Sequence, residues 1–219
     1  MNAGELETLY RRQFEDRDSR KYYLTQEEFL VVLNEAQEEA AYRKNLLFDK
    51  TSSFCSIPLI AGQSVYTLDD SIYAIVYASV TDSAGVITRI YPTDRLEMDR
   101  RISTWRTDTR TPENYIQLDT KLEITPIPDA VYTLNLETYR LPIDKMVSAG
   151  DEPEIHRNNH AYLVDWVLHR IYEIPDVDTQ DTKKSLYHLA RFESVFGPRP
   201  DAQNQRDKYA NRPHRNKAN

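Results

Sequence analysis

Two histidines four residues apart are the first candidates for chemistry in this sequence. His156 and His160 would share one face of a helix, with Glu154 close by, and paired imidazoles at this spacing can bind a metal ion. The residues between them include no glutamate of the kind found in a zincin motif, and no third ligand is evident. We therefore expect polar surface histidines and no metal site.

Acidic residues are the second candidates, because a pair of carboxylates can act as general acid and base. The candidates are Asp69, Asp70, Asp119, Glu123 and Asp129. With 35 Asp and Glu in the chain, such groupings arise by coincidence, and nothing distinguishes two of them. A small hydrolase that uses a carboxylate pair therefore stays open as the less favoured alternative.

Cysteine and glycine offer little for catalysis or cofactor binding. The single cysteine, Cys55, has no neighbouring group that would lower its pKa, so we expect a buried small side chain. Five glycines in the whole chain leave nothing from which to build a phosphate loop or a dinucleotide fingerprint. The sequence therefore predicts a protein that is not an enzyme and has no cofactor.

Charge is unevenly distributed along the 219 residues, whose formal net charge is −7. Residues 197–219 contain six Lys or Arg against two Asp or Glu, which leaves a charge of −11 on residues 1–196. An acidic body repels nucleic acid, whereas the basic tail suits nucleic acid or an acidic protein surface. No apolar run approaches the roughly 20 residues that cross a bilayer, and we expect neither a membrane span nor a signal peptide.

One polar stretch combines a tryptophan with four arginines, namely Arg100, Arg101, Trp105, Arg106 and Arg110. Aromatic and Arg side chains are enriched at the centres of protein–protein contacts. A lone Trp in a polar loop is equally often the anchor that packs the loop down. The sequence leaves both interpretations open, as it does for the fifteen tyrosines, which suit either an interface or a sheet.

The middle of the chain shows the period-two pattern of β-strands. In the last of these segments Tyr132, Leu134, Leu136 and Thr138 alternate with polar residues. The predicted strands are Phe54–Ile60, Ser64–Leu68, Ser71–Val80, Val86–Tyr91, Glu113–Leu118, Lys121–Thr125 and Val131–Tyr139. A short helix capped by Thr93 interrupts them, and the spacing of the turns favours a small antiparallel sandwich or barrel.

Helical patterns flank this β region. Thr25 and Glu28 have the spacing of a capping box and begin a helix that we expect to end near Leu47. Pro153 fits the first turn of a second long helix, which would run to about Tyr172. A short helix is expected within residues 1–23, and a third long one, over about residues 179–196, should bury Leu186, Leu189, Ala190, Phe192 and Phe196.

The order of these elements predicts an α+β fold, in which an α-helical bundle carries an inserted antiparallel β-sandwich or barrel-like domain and an extended C-terminal tail. Residues 1–50 and 151–196 would form the bundle, residues 51–150 the inserted domain and residues 197–219 the basic tail.

The chain resembles the head-to-tail adaptor, or connector, proteins of tailed bacteriophages over most of residues 24–196. The resemblance rests on the joint order of individually weak motifs. They are the helix opening at Leu24-Thr25, the strand Ser64-Val65-Tyr66-Thr67-Leu68, the step Ile90-Tyr91-Pro92, Trp105, the segment Thr111-Pro112-Glu113-Asn114-Tyr115, the run Leu122-Glu123-Ile124-Thr125-Pro126-Ile127-Pro128, the strand Tyr132–Tyr139 and the helix from Pro153.

This resemblance implies a structural protein of the virion neck, assembled in the host cytoplasm. Copies would form a ring, usually a dodecamer, between the portal protein and a tail, nozzle or tail-completion protein. Double-stranded DNA would pass through the channel during ejection without sequence-specific binding.

By the same resemblance, the basic tail would bind the portal, and the loop around Trp105 would face neighbouring copies or the tail. The tail residues concerned are Gly197, Pro198, Arg199, Arg206, Lys208, Tyr209, Arg212 and Arg215. A carbohydrate-binding or baseplate module remains the main alternative, and it would require a trough of exposed aromatic side chains.

Overall fold

The computed structural model describes residues 1–16, 23–175 and 180–200. The described chain divides into two compact units, one formed by residues 1–47 with 141–199 and the other by residues 48–140 with Pro200. Helices make up most of the first unit, and the second holds the strands, so the predicted mixed α+β class is confirmed.

Four helices of the first unit share one hydrophobic core. They are α1 (Ala3–Phe14), α2 (Gln26–Lys44), α4 (Leu163–Glu173) and α5 (Thr182–Phe196). The capping box that opens α2 is confirmed, since Thr25 Oγ1 accepts the Glu28 amide and the Glu28 carboxylate accepts the Thr25 amide at 2.8 Å. Helix α2 ends at Lys44, three residues before the predicted end, and its C-cap Asn45 has the left-handed φ of 53°.

The helix predicted from Pro153 begins ten residues later than expected. Residues 157–162 form a 3₁₀ turn, and only then does α4 start at Leu163. Glu154 explains the delay, because its amide donates to Gln37 Oε1 and its carboxylate accepts the amides of Ile143 and Asp144. These bonds hold the segment after Pro153 as an ordered loop against α2.

Burial in α5 also departs from the prediction. Phe192 and Phe196 are buried as expected, but Leu186 is 58% exposed and Ala190 is exposed too. Ser185 takes the inward position instead, because its hydroxyl bonds to His169 of α4. The predicted start of this helix at Thr179 lies outside the described residues, and α5 begins at Thr182 with Asp181 as its N-cap.

The second unit is built on one eight-stranded sheet. Its strands are β1 (Phe48–Asp49), β2 (Ser56–Leu59), β3 (Val65–Thr67), β4 (Ile72–Thr81), β5 (Ile87–Pro92), β6 (Asn114–Gln117), β7 (Lys121–Thr125) and β8 (Tyr132–Arg140). Their order in the sheet is β1-β8-β4-β5-β6-β7-β3, and β2 also pairs with β8. The pairings are antiparallel as predicted, except that β5 and β6 run parallel.

Alternation along β8 places Tyr132, Leu134, Leu136 and Thr138 in the interior, as the sequence pattern predicted. They join a core that spans β2 to β8. The short helix α3 (Arg95–Arg101) follows β5 and is capped by Asp94, one residue after the predicted Thr93.

Candidate interaction surfaces

Trp105 is a buried anchor of its loop. Its side chain is 3% exposed and belongs to a small cluster with Met98 and Ile116. The indole Nε1 donates to Asp99 Oδ1 at 2.8 Å, so the polar edge of the ring is satisfied inside the loop. Of the two interpretations that the sequence left open, the structure therefore shows the packing anchor.

The arginines around Trp105 are exposed, but most of them are paired with acidic residues of the same segment. Arg106 binds Asp99 through both terminal nitrogens, and Arg110 pairs with Asp108 and Glu113. The hydrogen bond from Arg106, and to a smaller extent the one from Trp105, lowers the pKa of the Asp99 carboxyl.

Arg101 lies 3.8 Å from Glu97 on the exposed side of α3, where Arg100 is exposed as well. Together with the pairs around Trp105, these charges make a surface of alternating sign. The loop therefore presents both signs of charge.

A second surface lies where the C-terminal segment leaves α5. Gly197 has a φ of +87°, and this left-handed conformation ends the helix at a position that favours glycine. Lys44 Nζ donates to the Val195 carbonyl at 2.9 Å, and Arg43 Nη1 lies 3.4 Å from the Gly197 carbonyl. Two residues later, Arg199 Nη2 is 3.3 Å from Glu39 Oε1. The first residues of the tail thus lie on α2.

Arg43 holds this corner of the helical unit together. Its side chain is 4% exposed, with Nε 2.9 Å from Glu39 and Nη1 3.4 Å from Glu193. The guanidinium also lies over the rings of Trp166 and Phe192, at 5.0 and 5.2 Å from their centroids. A buried guanidinium with these partners fixes α2, α4 and α5 at the point where the tail begins.

Of the predicted portal-binding residues, the structure brings together Gly197, Pro198 and Arg199. The others, Arg206, Lys208, Tyr209, Arg212 and Arg215, lie outside the described residues.

Large apolar side chains are exposed on both units. In the helical unit Val31 is 69% exposed, Tyr187 59% and Val147 80%. In the sheet unit Ile87 is 67% and Leu96 is 70% exposed. Singly exposed apolar side chains are ordinary on a protein surface, and only a contiguous patch of them would mark an interface.

The two histidines of the candidate pair lie in different surroundings. His156 is exposed as expected, but His160 is 1% exposed, so its prediction as a surface residue was wrong. Its Nε2 lies 2.7 Å from the Ile155 carbonyl, and its Nδ1 lies 2.9 Å from the Met1 carbonyl. Within the described ranges no group of three His, Cys, Asp or Glu is arranged to hold a metal ion.

Three of the five candidate carboxylates serve separate structural bonds. Asp69 accepts from Ser71, Asp129 accepts from the Tyr132 hydroxyl, and Glu123 pairs with Arg95. Burial raises the pKa of Cys55, which is 2% exposed and fits its predicted packing role. Among the residues described, no helix has the length and apolarity to cross a membrane.

One polar cluster was missed in the sequence. Asp165 is 3% exposed, and its Oδ1 lies 2.8 Å from His188 Nδ1 and 3.3 Å from Arg191 Nε. The sequence does indicate such a cluster, because Asp165 lies in the middle of the apolar run of α4 and a buried carboxylate requires a partner. Both partners of Asp165 come from α5, so the cluster joins the two helices.

Comparison with known proteins identifies the family. The family model described as SU10 adaptor protein matches residues 1–217, which is nearly the whole chain. No curated protein matches the sequence significantly. The expected resemblance to phage head-to-tail adaptors is thereby confirmed. The chain belongs to the SU10 adaptor protein family and is a structural component of the phage virion at the head-to-tail junction.

Proposed function

We propose that copies of this protein form a ring, a dodecamer, between the portal protein and the tail, nozzle or tail-completion protein. The ring would assemble in the host cytoplasm and line the path of the viral DNA during ejection. The observation that carries this proposal is the family match over residues 1–217.

Charge supports passage of DNA through such a ring. Residues 1–196 carry a formal charge of −11, and an acidic wall repels phosphates where a basic one would bind them. DNA would therefore slide past the protein without sequence-specific contacts.

The exposed surfaces supply the contacts that a ring needs. In a ring each copy presents one patch to the neighbour on one side and a different patch to the neighbour on the other. The helical and sheet units each expose apolar side chains, such as Val31, Leu186, Ile87 and Leu96. The Trp105 loop would face neighbouring copies or the tail, with Trp105 as its anchor and Arg100, Arg101, Arg106 and Arg110 as its contact residues.

The segment 197–219 would be the arm that binds the portal. Its six cations suit an acidic portal surface, and Arg43 and Lys44 fix the position from which it starts. A catalytic role is not part of this proposal; Asp69 and Asp129 accept structural hydrogen bonds, and Cys55 is buried.

The test is the native mass of the protein alone and after mixing with the portal protein of the same phage. We expect a discrete complex that carries a dodecamer of this chain on the portal. A chain that ends at Arg199 should lose portal binding while its helical content is unchanged. Failure to form any portal complex across a range of protein and salt concentrations would overturn the proposal.

A carbohydrate-binding module is the second candidate, and one observation favours it. Tyr77, Arg89 and Tyr91 share one face of the paired strands β4 and β5, and the Arg89 guanidinium lies 5.1 Å from each ring centroid. Tyr91 is 49% exposed, so a sugar could stack on it. Binding in a glycan screen that Tyr91→Ala abolishes would support this function, and the absence of any binding would remove it.

A further inference from the structure

One face of α2 is strongly acidic. At about 100° per residue, its five glutamates fall within an arc of about 120° around the exposed Val31. We call this the acidic face of α2, and its members are Glu27, Glu28, Glu35, Glu38 and Glu39.

Only part of this charge is neutralised by the described residues. Glu39 pairs with Arg43 and Arg199, and Glu35 lies 3.2 Å from Arg170. Among the described side chains, Glu27 and Glu38 have no ion-pair partner. The acidic face therefore keeps negative charge on both sides of Val31, which is 69% exposed.

The tail begins on this helix, and residues 195–199 run along it. Val195 is held at the level of Lys44, Gly197 at the level of Arg43, and Arg199 at the level of Glu39. From Val195 to Arg199 the chain moves forward in sequence, while the residue that it contacts on α2 moves back from Lys44 to Glu39. The described start of the tail therefore heads towards the N-terminal end of α2, which is the direction of the acidic face.

The remaining chain has the charge and the length to cover this face. Residues 200–219 contain two acids against five cations, which are Arg206, Lys208, Arg212, Arg215 and Lys217. From Glu39 to Glu27 is about 18 Å along the helix at 1.5 Å per residue. Seven extended residues from Arg199 to Arg206 reach about 23 Å. The first cations of the tail thus come within reach of the far end of the face.

We propose that in the free protein residues 200–219 dock on the acidic face of α2 of the same chain. Arg206 and Lys208 bind the glutamates on either side of Val31, and Tyr209 covers Val31 itself. The consequence for assembly rests on the proposed function, because an arm docked in this way has to leave α2 before it can reach the portal.

Crosslinking tests the contact directly. The variant with Val31→Cys and Tyr209→Cys is treated at low salt with a short bismaleimide reagent, and intramolecular product is separated from dimer by mass. The matched control carries Tyr187→Cys with Tyr209→Cys, since Tyr187 is 59% exposed and lies on α5 of the same unit. Cys55 does not interfere, because it is 2% exposed.

We expect the Val31 pair to form intramolecular product about tenfold faster than the control, the combined effect of about three surface ion pairs. About 0.5 M salt, or the substitutions Glu27→Gln, Glu35→Gln and Glu38→Gln, should bring the rate down to that of the control. Equal rates for the two pairs, or a rate insensitive to salt, would overturn the proposal. Predominantly intermolecular product would overturn it too, because the occupant would then be the tail of a second copy.

The two proposals fail separately. If the portal complex forms but the Val31 pair shows no preference, only the docking is wrong. If the crosslink forms in the monomer but no portal complex appears, the docking stands and the adaptor function is wrong.

Discussion

Arg140 Nε lies 2.9 Å from Asp49 Oδ2, so the last residue of β8 is bonded to the last residue of β1 across 91 positions of sequence. Asp49 is 8% exposed and also accepts hydrogen bonds from Thr51 and Ser52. Burial acts to raise the pKa of this carboxyl, but the hydrogen bonds from Ser52, Thr51 and Arg140 outweigh burial and hold the pKa well below its ordinary value. The pair closes the sheet unit where the chain enters and leaves it.

Asp49→Asn should therefore destabilise the sheet unit by about 3 kcal/mol, because it removes the charge from one side of an ion pair between two largely buried side chains. Urea unfolding followed by circular dichroism measures the loss. Asp70→Asn is the control, since this exposed carboxylate should change the free energy of unfolding by at most about 0.5 kcal/mol.

The same pair predicts a dependence of stability on pH. Because the pKa of Asp49 is lower in the folded protein, its contribution is fully present above the ordinary carboxyl pKa of about 4 and is lost as the pH falls below that value. The wild-type protein should lose more stability than Asp49→Asn between about pH 4 and pH 2. Parallel curves for the two proteins would contradict this account.

Local signals predicted local structure well in this chain. The capping box of Thr25 and Glu28 and the alternation from Tyr132 to Thr138 each depend on neighbouring residues, and both are confirmed. Pro153 shows where such signals fail. It can begin a helix, but Gln37 and Ile143 are bonded to the residue that follows it, and these distant contacts keep the segment in a loop.

The candidate surfaces were less predictable, because exposure depends on packing partners. The sequence is equally consistent with Trp105 as a packing anchor and as a contact residue. Its contacts with Met98 and Ile116, which only the structure shows, identify it as an anchor. Leu186 was expected inside, yet Ser185 takes the buried position because His169 lies opposite its hydroxyl. Adjacent positions on a helix differ by 100°, so one cross-helix hydrogen bond decides which of the two faces inward.

Trp105 gives a prediction for the loop. Trp105→Ala should cost about 3–5 kcal/mol of stability, because it empties a buried site lined by Met98 and Ile116. Trp105→Phe should cost about 1.5–3 kcal/mol, since the ring is kept while the hydrogen bond to the charged Asp99 is lost. Urea unfolding of each variant checks the order. Equal stability of the wild type and Trp105→Ala would mean that the tryptophan does not hold the loop.

Arg43 gives a prediction for the helical unit. Arg43→Ala should destabilise it by about 3 kcal/mol, because Glu39 and the rings of Trp166 and Phe192 lose a buried partner. Arg43→Lys should keep only part of the stability that Arg43→Ala loses, since an ammonium cannot bond several partners and stack on the rings at the same time. Arg170→Ala is the control; its side chain is 47% exposed, and it should cost at most about 1 kcal/mol. Full recovery by lysine would contradict the role assigned to the guanidinium.

Cys55 reports on the opening of the sheet unit alone. Burial raises the pKa of its thiol and shields it, so a water-soluble disulfide reagent should label it only when the unit opens. If opening and closing are fast, the labelling rate follows the opening equilibrium, and a cost of about 3 kcal/mol in Asp49→Asn raises it by about two orders of magnitude. Arg43→Ala, which acts in the other unit, should leave the rate within about threefold of wild type. A large increase in the Arg43 variant would show that the two units open together, and the labelling experiment would then measure their coupling.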